Sequence, residues 1–231
     1  KTVVGDGLHR YTQEPFIKNG VLAWRAGTTE SLNKGILRPA SEPFATSGGL
    51  KKLTGKLGTS VIKISAVDPK HHLIEAPVRV FHDQNEVKAA FKAGEFNGDV
   101  IVVVRFQGPK ANGMPELHRL TPPLAVLQER GFKVALVTDG RMSGASGKVP
   151  AAIHVTPEAV DGGPIAKIRD GDIIRLDADA GTLEVLADLS VREPVWVDLS
   201  ANNVGTGREL FQAFRNIAGR ADQGASIFEA L

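Results

Sequence analysis

Between residues 100 and 138 the hydrophobic positions alone outline a folding unit. Val100–Arg105 (VIVVVR) is a near-continuous β-branched run, the pattern of a strand covered on both faces. Residues 121–130 switch to helical period, with Thr121 as cap, Pro122 in the first position, Leu124 and Leu127 facing inward and Gly131 as stop. Lys133–Thr138 (KVALVT) is a second buried strand. Strand, helix, strand over this span is a βαβ unit, which predicts parallel neighbours.

On the N-terminal side of this unit, Ser60–Ser65 and Leu73–Phe81 alternate as strands, with Pro77 suited to an edge or bend. His82–Gly94 reads as a helix: Asp83 and Glu86 form a capping pair, and Val87, Ala90 and Phe91 share a face. On the C-terminal side, short strands are expected at 152–155, 165–168, 172–177, 182–186 and 195–197, then a helix over 208–219. Residues 1–58 show little periodicity. They read as an extended, turn-rich connector arm with apolar anchors such as Phe16, Trp24 and Phe44. The resulting expectation is a mixed, β-rich α+β domain over 59–231 behind an arm at 1–58.

Composition narrows the chemistry. The chain carries 28 Lys+Arg against 26 Asp+Glu, which argues against a dedicated nucleic-acid or membrane surface. With no cysteine it supplies no disulfide, no thiolate nucleophile and no cluster ligand. It begins Lys1-Thr2-Val3 without a leader pattern, so it is expected to be a fragment of a longer, cytoplasmic protein. Ser146-Gly147-Lys148-Val149 fails as a phosphate-binding P-loop, because Met142 and Val149 stand where Gly and Ser/Thr belong. The six histidines show no metal-binding spacing.

Two loops stand out because parallel strands would bring them to one sheet edge, where ligands bind in open α/β sheets. Phe106–Leu120 (FQGPKANGMPELHRL) carries Glu116. Thr138–Pro150 (TDGRMSGASGKVP) carries three glycines, two serines, Asp139, Arg141 and Lys148. A third candidate, residues 202–209 (NNVGTGRE), is either an anion site built on a helix start or a capping box of Thr206 and Glu209.

At these loops the chain resembles the C-terminal part of the iron–sulfur dihydroxy-acid and sugar-acid dehydratase family. The stretches that carry the resemblance are YTQEPF (11–16), TDGRMSG (138–144), SGASGKVPAAIHV (143–155), NNVGTGRELF (202–211) and DQGAS (222–226). The resemblance implies a lyase that removes water from a 2,3-dihydroxy acid, giving a 2-keto-3-deoxy acid. It implies a swivelling β/β/α domain with a barrel-like core and flanking helices, and an arm packing on an N-terminal domain. It further implies a [4Fe–4S] cluster with ligands in that other domain, Mg2+, and a homodimer. Glu116 matches the family's magnesium ligand, and Ser143 matches the serine proposed as base. A phosphorylated sugar acid as substrate would explain Lys148, and Arg141, Asn203 and Arg208 complete the expected phosphate-binding set. The chain alone is expected to be inactive. The alternatives are a dehydratase of an unphosphorylated acid, or a binding module without catalysis.

Overall fold

The computed structural model describes residues 1–3, 5–143 and 147–228. It divides into two compact units, 1–48 and 49–231. In the first, β1 (Gln13–Lys18) and β2 (Val21–Ala26) form an antiparallel hairpin around Asn19-Gly20, both with positive φ. Ile17, Val21, Leu22 and Trp24 of this hairpin are exposed.

The second unit is built on eight strands closed into a barrel: β3 (Leu50–Gly55), β4 (Gly58–Lys63), β5 (Leu73–Phe81), β6 (Val100–Val104), β7 (Val134–Thr138), β8 (Ala151–Thr156), β9 (Ile173–Asp177) and β10 (Thr182–Val185). The order round the barrel is β10-β3-β4-β8-β7-β6-β5-β9. Strands β5, β6, β7 and β8 run parallel, and the expected pairing of β6 with β7 runs from Val100↔Val134 to Val104↔Thr138. The mixed, β-rich architecture with a barrel-like core is therefore present.

All five residues of β6 and all five of β7 are buried, and the side-chain alternation explains why. Ile101, Val103, Ala135 and Val137 belong to one core, with Leu53, Ile62, Ile174 and Leu183 from strands all round the barrel. Val100, Val102, Val104, Val134 and Leu136 belong to a second core, shared with Val87 and Ala90 of α1 (Gln84–Lys92) and Leu124 and Leu127 of α3 (Thr121–Glu129). Two apolar faces on one strand produce the unbroken hydrophobic run.

Several expectations are corrected. The arm does not extend to 58: residues 50–55 form β3, whose LKKLTG sequence hides a barrel strand because only Leu53 is fully buried. Residues 165–168 are not a strand. Pro164 starts a short 3-10 turn over Pro164–Lys167, and the carbonyls of Ile165, Ala166 and Ile168 all accept from the buried Arg105 guanidinium at 2.9–3.2 Å. Residues 195–197 form no strand. Thr121 is inside α3 rather than its cap, since a 3-10 turn over His118–Leu120 leads into the helix. The Asp83–Glu86 capping box of α1 is as expected. Among the described residues no helix is long and apolar enough to cross a membrane.

Candidate functional site

Because β6 and β7 are parallel, the chain leaves both at the same barrel rim. Buried Asp139 joins the two following loops there, and buried Glu158, just after β8, holds the first of them. Asp139, fully buried, accepts the main-chain N–H groups of Phe106 (3.0 Å), Gln107 (2.9 Å) and Ala159 (2.9 Å). Burial pushes its carboxyl group upward in pKa while these amides pull it down. Glu158 accepts from Lys110 and Ala111 N–H at 3.1 and 3.2 Å, at the start of the short helix α2 (Pro109–Asn112). Burial pushes its pKa up to about 7. Gly108 is required here: a Cβ at that position would lie 2.2 Å from Glu158 Oε2.

On the exposed rim above, Glu116, Arg141 and Ser143 come together. Glu116 Oε1 accepts the Ser143 N–H at 2.8 Å and the His118 N–H at 2.9 Å, and Oε2 lies 3.3 Å from the Arg141 guanidinium. The Leu117 N–H donates to the Arg141 carbonyl at 3.2 Å, so a short parallel bridge zips the loops at this point. Gly140 permits it, since a Cβ there would meet Gln107 Cβ at 2.6 Å. Ser143 is exposed and lines a small cleft of about 120 Å³ with Met142, Val149 and Ile153.

The donor set suits one position of a hard cation. Glu116 Oε1 is occupied by two amides, while Oε2 faces an exposed, solvent-screened arginine and keeps lone-pair capacity. Among the described residues no three His, Asp or Glu side chains converge as a metal site, so such a cation takes its other ligands from elsewhere.

Lys148 is exposed, and its carbonyl accepts from Gln128 Nε2 at 3.3 Å. Among the described residues its ammonium makes no ion pair. Residues 144–146, the centre of the SGASGK stretch, lie outside the described residues.

Arg208 and Asn203 belong to a separate cluster on α4 (Arg208–Ile217) and the turn before it. The Arg208 guanidinium donates to Asn112 Oδ1 at 2.7 Å, to the Asn112 carbonyl at 3.2 Å and to the Asn202 carbonyl. Asn203 Oδ1 accepts from Arg215 at 2.8 Å. Of the two alternatives for this stretch, the capping box of Thr206 and Glu209 is absent: Gly207, with φ of 83°, occupies the N-cap without a side-chain cap, and Glu209 accepts the Gly205 N–H at 2.7 Å. A cleft of about 440 Å³ lies between α4 and the α2 loop, lined by Asn112, Met114, Arg208, Phe211, Phe214 and Arg215 among others.

Sequence reading missed Arg215, Asn112, Asp139 and Glu158 as site-builders. For Arg215 a signal existed, because it follows Arg208 by seven residues, two helical turns on one face. The carboxylates gave none, since a buried amide acceptor and a solvated Asp look alike in sequence.

Comparisons with known proteins give the family of the chain. The family described as dihydroxy-acid/6-phosphogluconate dehydratase, C-terminal, matches residues 35–225. A phosphogluconate dehydratase of Pseudomonas aeruginosa is 58% identical over 99% of this chain, and one of Escherichia coli K12 is 58% identical over 97%. A dihydroxy-acid dehydratase of Geobacter metallireducens is 38% identical over 74% of the chain. The chain spans 38% of the length of the two phosphogluconate dehydratases.

Proposed function

The chain belongs to the dihydroxy-acid/6-phosphogluconate dehydratase family as its C-terminal domain, and from that premise we propose that it completes the active site of a hydro-lyase converting 6-phospho-D-gluconate to 2-dehydro-3-deoxy-6-phosphogluconate and water. What supports the reading is one contact: the 2.8 Å hydrogen bond from the Ser143 N–H to Glu116 Oε1. It joins the two residues, 27 apart in sequence, to which the resemblance gives the roles of base and metal ligand.

The elimination removes the C2 proton, and the C2–H electron pair becomes the C2–C3 double bond. The C3–O bond breaks with its own pair, and the hydroxyl leaves, taking a proton, as water. The enol then tautomerises to the 2-keto acid. Ser143 takes the C2 proton in this assignment. A serine hydroxyl is a poor base unless its alkoxide is stabilised, and Arg141 beside it contributes positive field from this chain. Glu116 fixes the backbone of Ser143 and so sets where the hydroxyl starts from. A magnesium ion held partly by Glu116 would supply charge stabilisation for the substrate carboxylate, and a [4Fe–4S] cluster would supply a Lewis acid for the leaving hydroxyl. Without cysteine, this chain supplies none of the cluster's thiolates. The other domain and a homodimeric assembly belong to the same reading, as does the packing of the exposed hairpin of residues 13–26 on that domain. At the far end of the substrate the phosphate needs cations, which Arg141, Lys148 and Arg208 with Asn203 offer.

The test is direct. The full-length enzyme, incubated with 6-phosphogluconate, is expected to form a 2-keto-3-deoxy product, and the 231-residue chain alone none. Turnover by this chain alone, or none by the full-length enzyme, overturns the proposal.

A further inference from the structure

Among the described residues, two guanidinium groups sit side by side in the α2–α4 cleft without a carboxylate. Arg208 donates only to the neutral oxygens of Asn112 and Asn202. Arg215, only 8% exposed, donates to Asn203 Oδ1 at 2.8 Å, to the Asn202 carbonyl at 3.4 Å and to the carbonyl of Arg208 itself at 3.3 Å. Among the described residues neither forms an ion pair, and Glu209, the nearest acid in sequence, is engaged with the Gly205 N–H. Burying a cation among neutral acceptors next to a second cation is costly unless an anion joins them. A cation pair held open in this way is an anion receptor.

We propose that this cleft is the phosphate subsite of the sugar acid, with Arg208 and Arg215 as its paired cations and Asn112 and Asn203 holding them in position. The inference rests on the dehydratase reading above and decides among the cations it left available. Arg215 enters as a specificity-determining residue that the sequence did not single out. Lys148 and Arg141 are exposed, single charges, and Arg141 is already matched with Glu116. The two arginines, by contrast, present planar donor forks suited to a phosphate, against walls of Phe211, Phe214 and Met114 that lower the local dielectric. Met114 lines the cleft and Glu116 follows two residues later, so the cleft borders the loop that carries Glu116.

The test uses the full-length enzyme with three probes: 6-phosphogluconate as substrate, and inorganic phosphate and D-gluconate as competitive inhibitors. In Arg215→Met and Arg208→Met, kcat/KM for 6-phosphogluconate is expected to fall roughly ten- to a hundredfold, as for a lost charge-assisted contact. The inhibition constant of phosphate should rise by a similar factor, with that of gluconate within about twofold. Because Arg215 also ties the α4 turn together, Asn112→Asp provides the variant that spares both arginines. It puts a carboxylate against Arg208 at the cost of one hydrogen bond to Gln107 Oε1. A purely structural clamp would keep its phosphate affinity in Asn112→Asp. A phosphate subsite loses several-fold or more, through repulsion of the dianion. Unchanged phosphate inhibition in Asn112→Asp, or equal losses for phosphate and gluconate in the arginine variants, overturns the subsite. Absence of 6-phosphogluconate turnover in the unmodified enzyme overturns the dehydratase reading instead.

Discussion

Three carboxylates grip main-chain amides at the barrel rim, and depth separates their roles. Asp139 and Glu158, at the buried base, are surrounded by N–H donors and have no water to turn to. Glu116, on the exposed rim, uses one oxygen for the same kind of grip and presents the other to Arg141 and solvent. The base stiffens the loops, and the rim holds the residues proposed for the chemistry. A carboxylate buried under its own loops, with both oxygens turned to main-chain amides, is closed to a substrate or cation.

This contrast makes the expected failures different in kind. The largest effect falls on the rim. Ser143→Ala in the full-length enzyme should lower kcat by a hundredfold or more, about 2.7 kcal/mol or above, with substrate binding nearly unchanged. If more than a tenth of kcat survives, Ser143 is not the base.

At the base, Asp139→Asn should leave the chemical groups intact but destabilise the domain by about 2–3 kcal/mol, because an amide NH2 is then turned toward an N–H donor. Urea unfolding measures this. A change below about 0.5 kcal/mol would show the three amides to be adequately solvated without the carboxylate.

Glu158 gives the comparison a pH dependence. Its folded pKa, pushed up to about 7, exceeds the 4.5 of an unperturbed glutamate, so the folded state holds the proton more tightly. Stability from this group is therefore present below about pH 4.5 and is lost as pH rises toward 7, by on the order of 3 kcal/mol. Glu158→Gln, which cannot titrate, should show a flatter stability profile across that window. Parallel profiles for the two proteins would place the titration elsewhere.

The smallest effect belongs to the rim ion pair. Arg141→Met should change folding stability by less than about 1 kcal/mol, as for other exposed pairs, while still lowering kcat through the weakened field at Ser143. An unfolding midpoint shifted as far as that of Asp139→Asn would move Arg141 from the rim to the scaffold.

The difference between rim and base also separates what could be read along the chain from what could not. The runs at 100–104 and 134–138, the capping pair Asp83–Glu86 and the glycine-rich loops were legible, because each depends on residues close in sequence. The family resemblance pointed to Ser143 in TDGRMSG and to Glu116 in GMPEL. The residues that build their surroundings were not legible: Glu158 holds Lys110 from 48 positions away, and Arg208 holds Asn112 from 96. Strand β3 escaped for the same reason. Its polar residues say little until β4 and β10 close round them.

The amino-acid sequence by itself determined the βαβ unit, the helices, the family and the two residues proposed for the reaction, since periodicity, caps and local motifs are written in neighbouring positions. Tertiary structure alone decided that β3 belongs to the barrel and that residues 165–168 turn rather than extend. It also decided that Asp139 and Glu158 are scaffold, and that Arg215 joins Arg208 in one cleft. Those outcomes depend on which groups lose water together, and desolvation is a property of the packed chain.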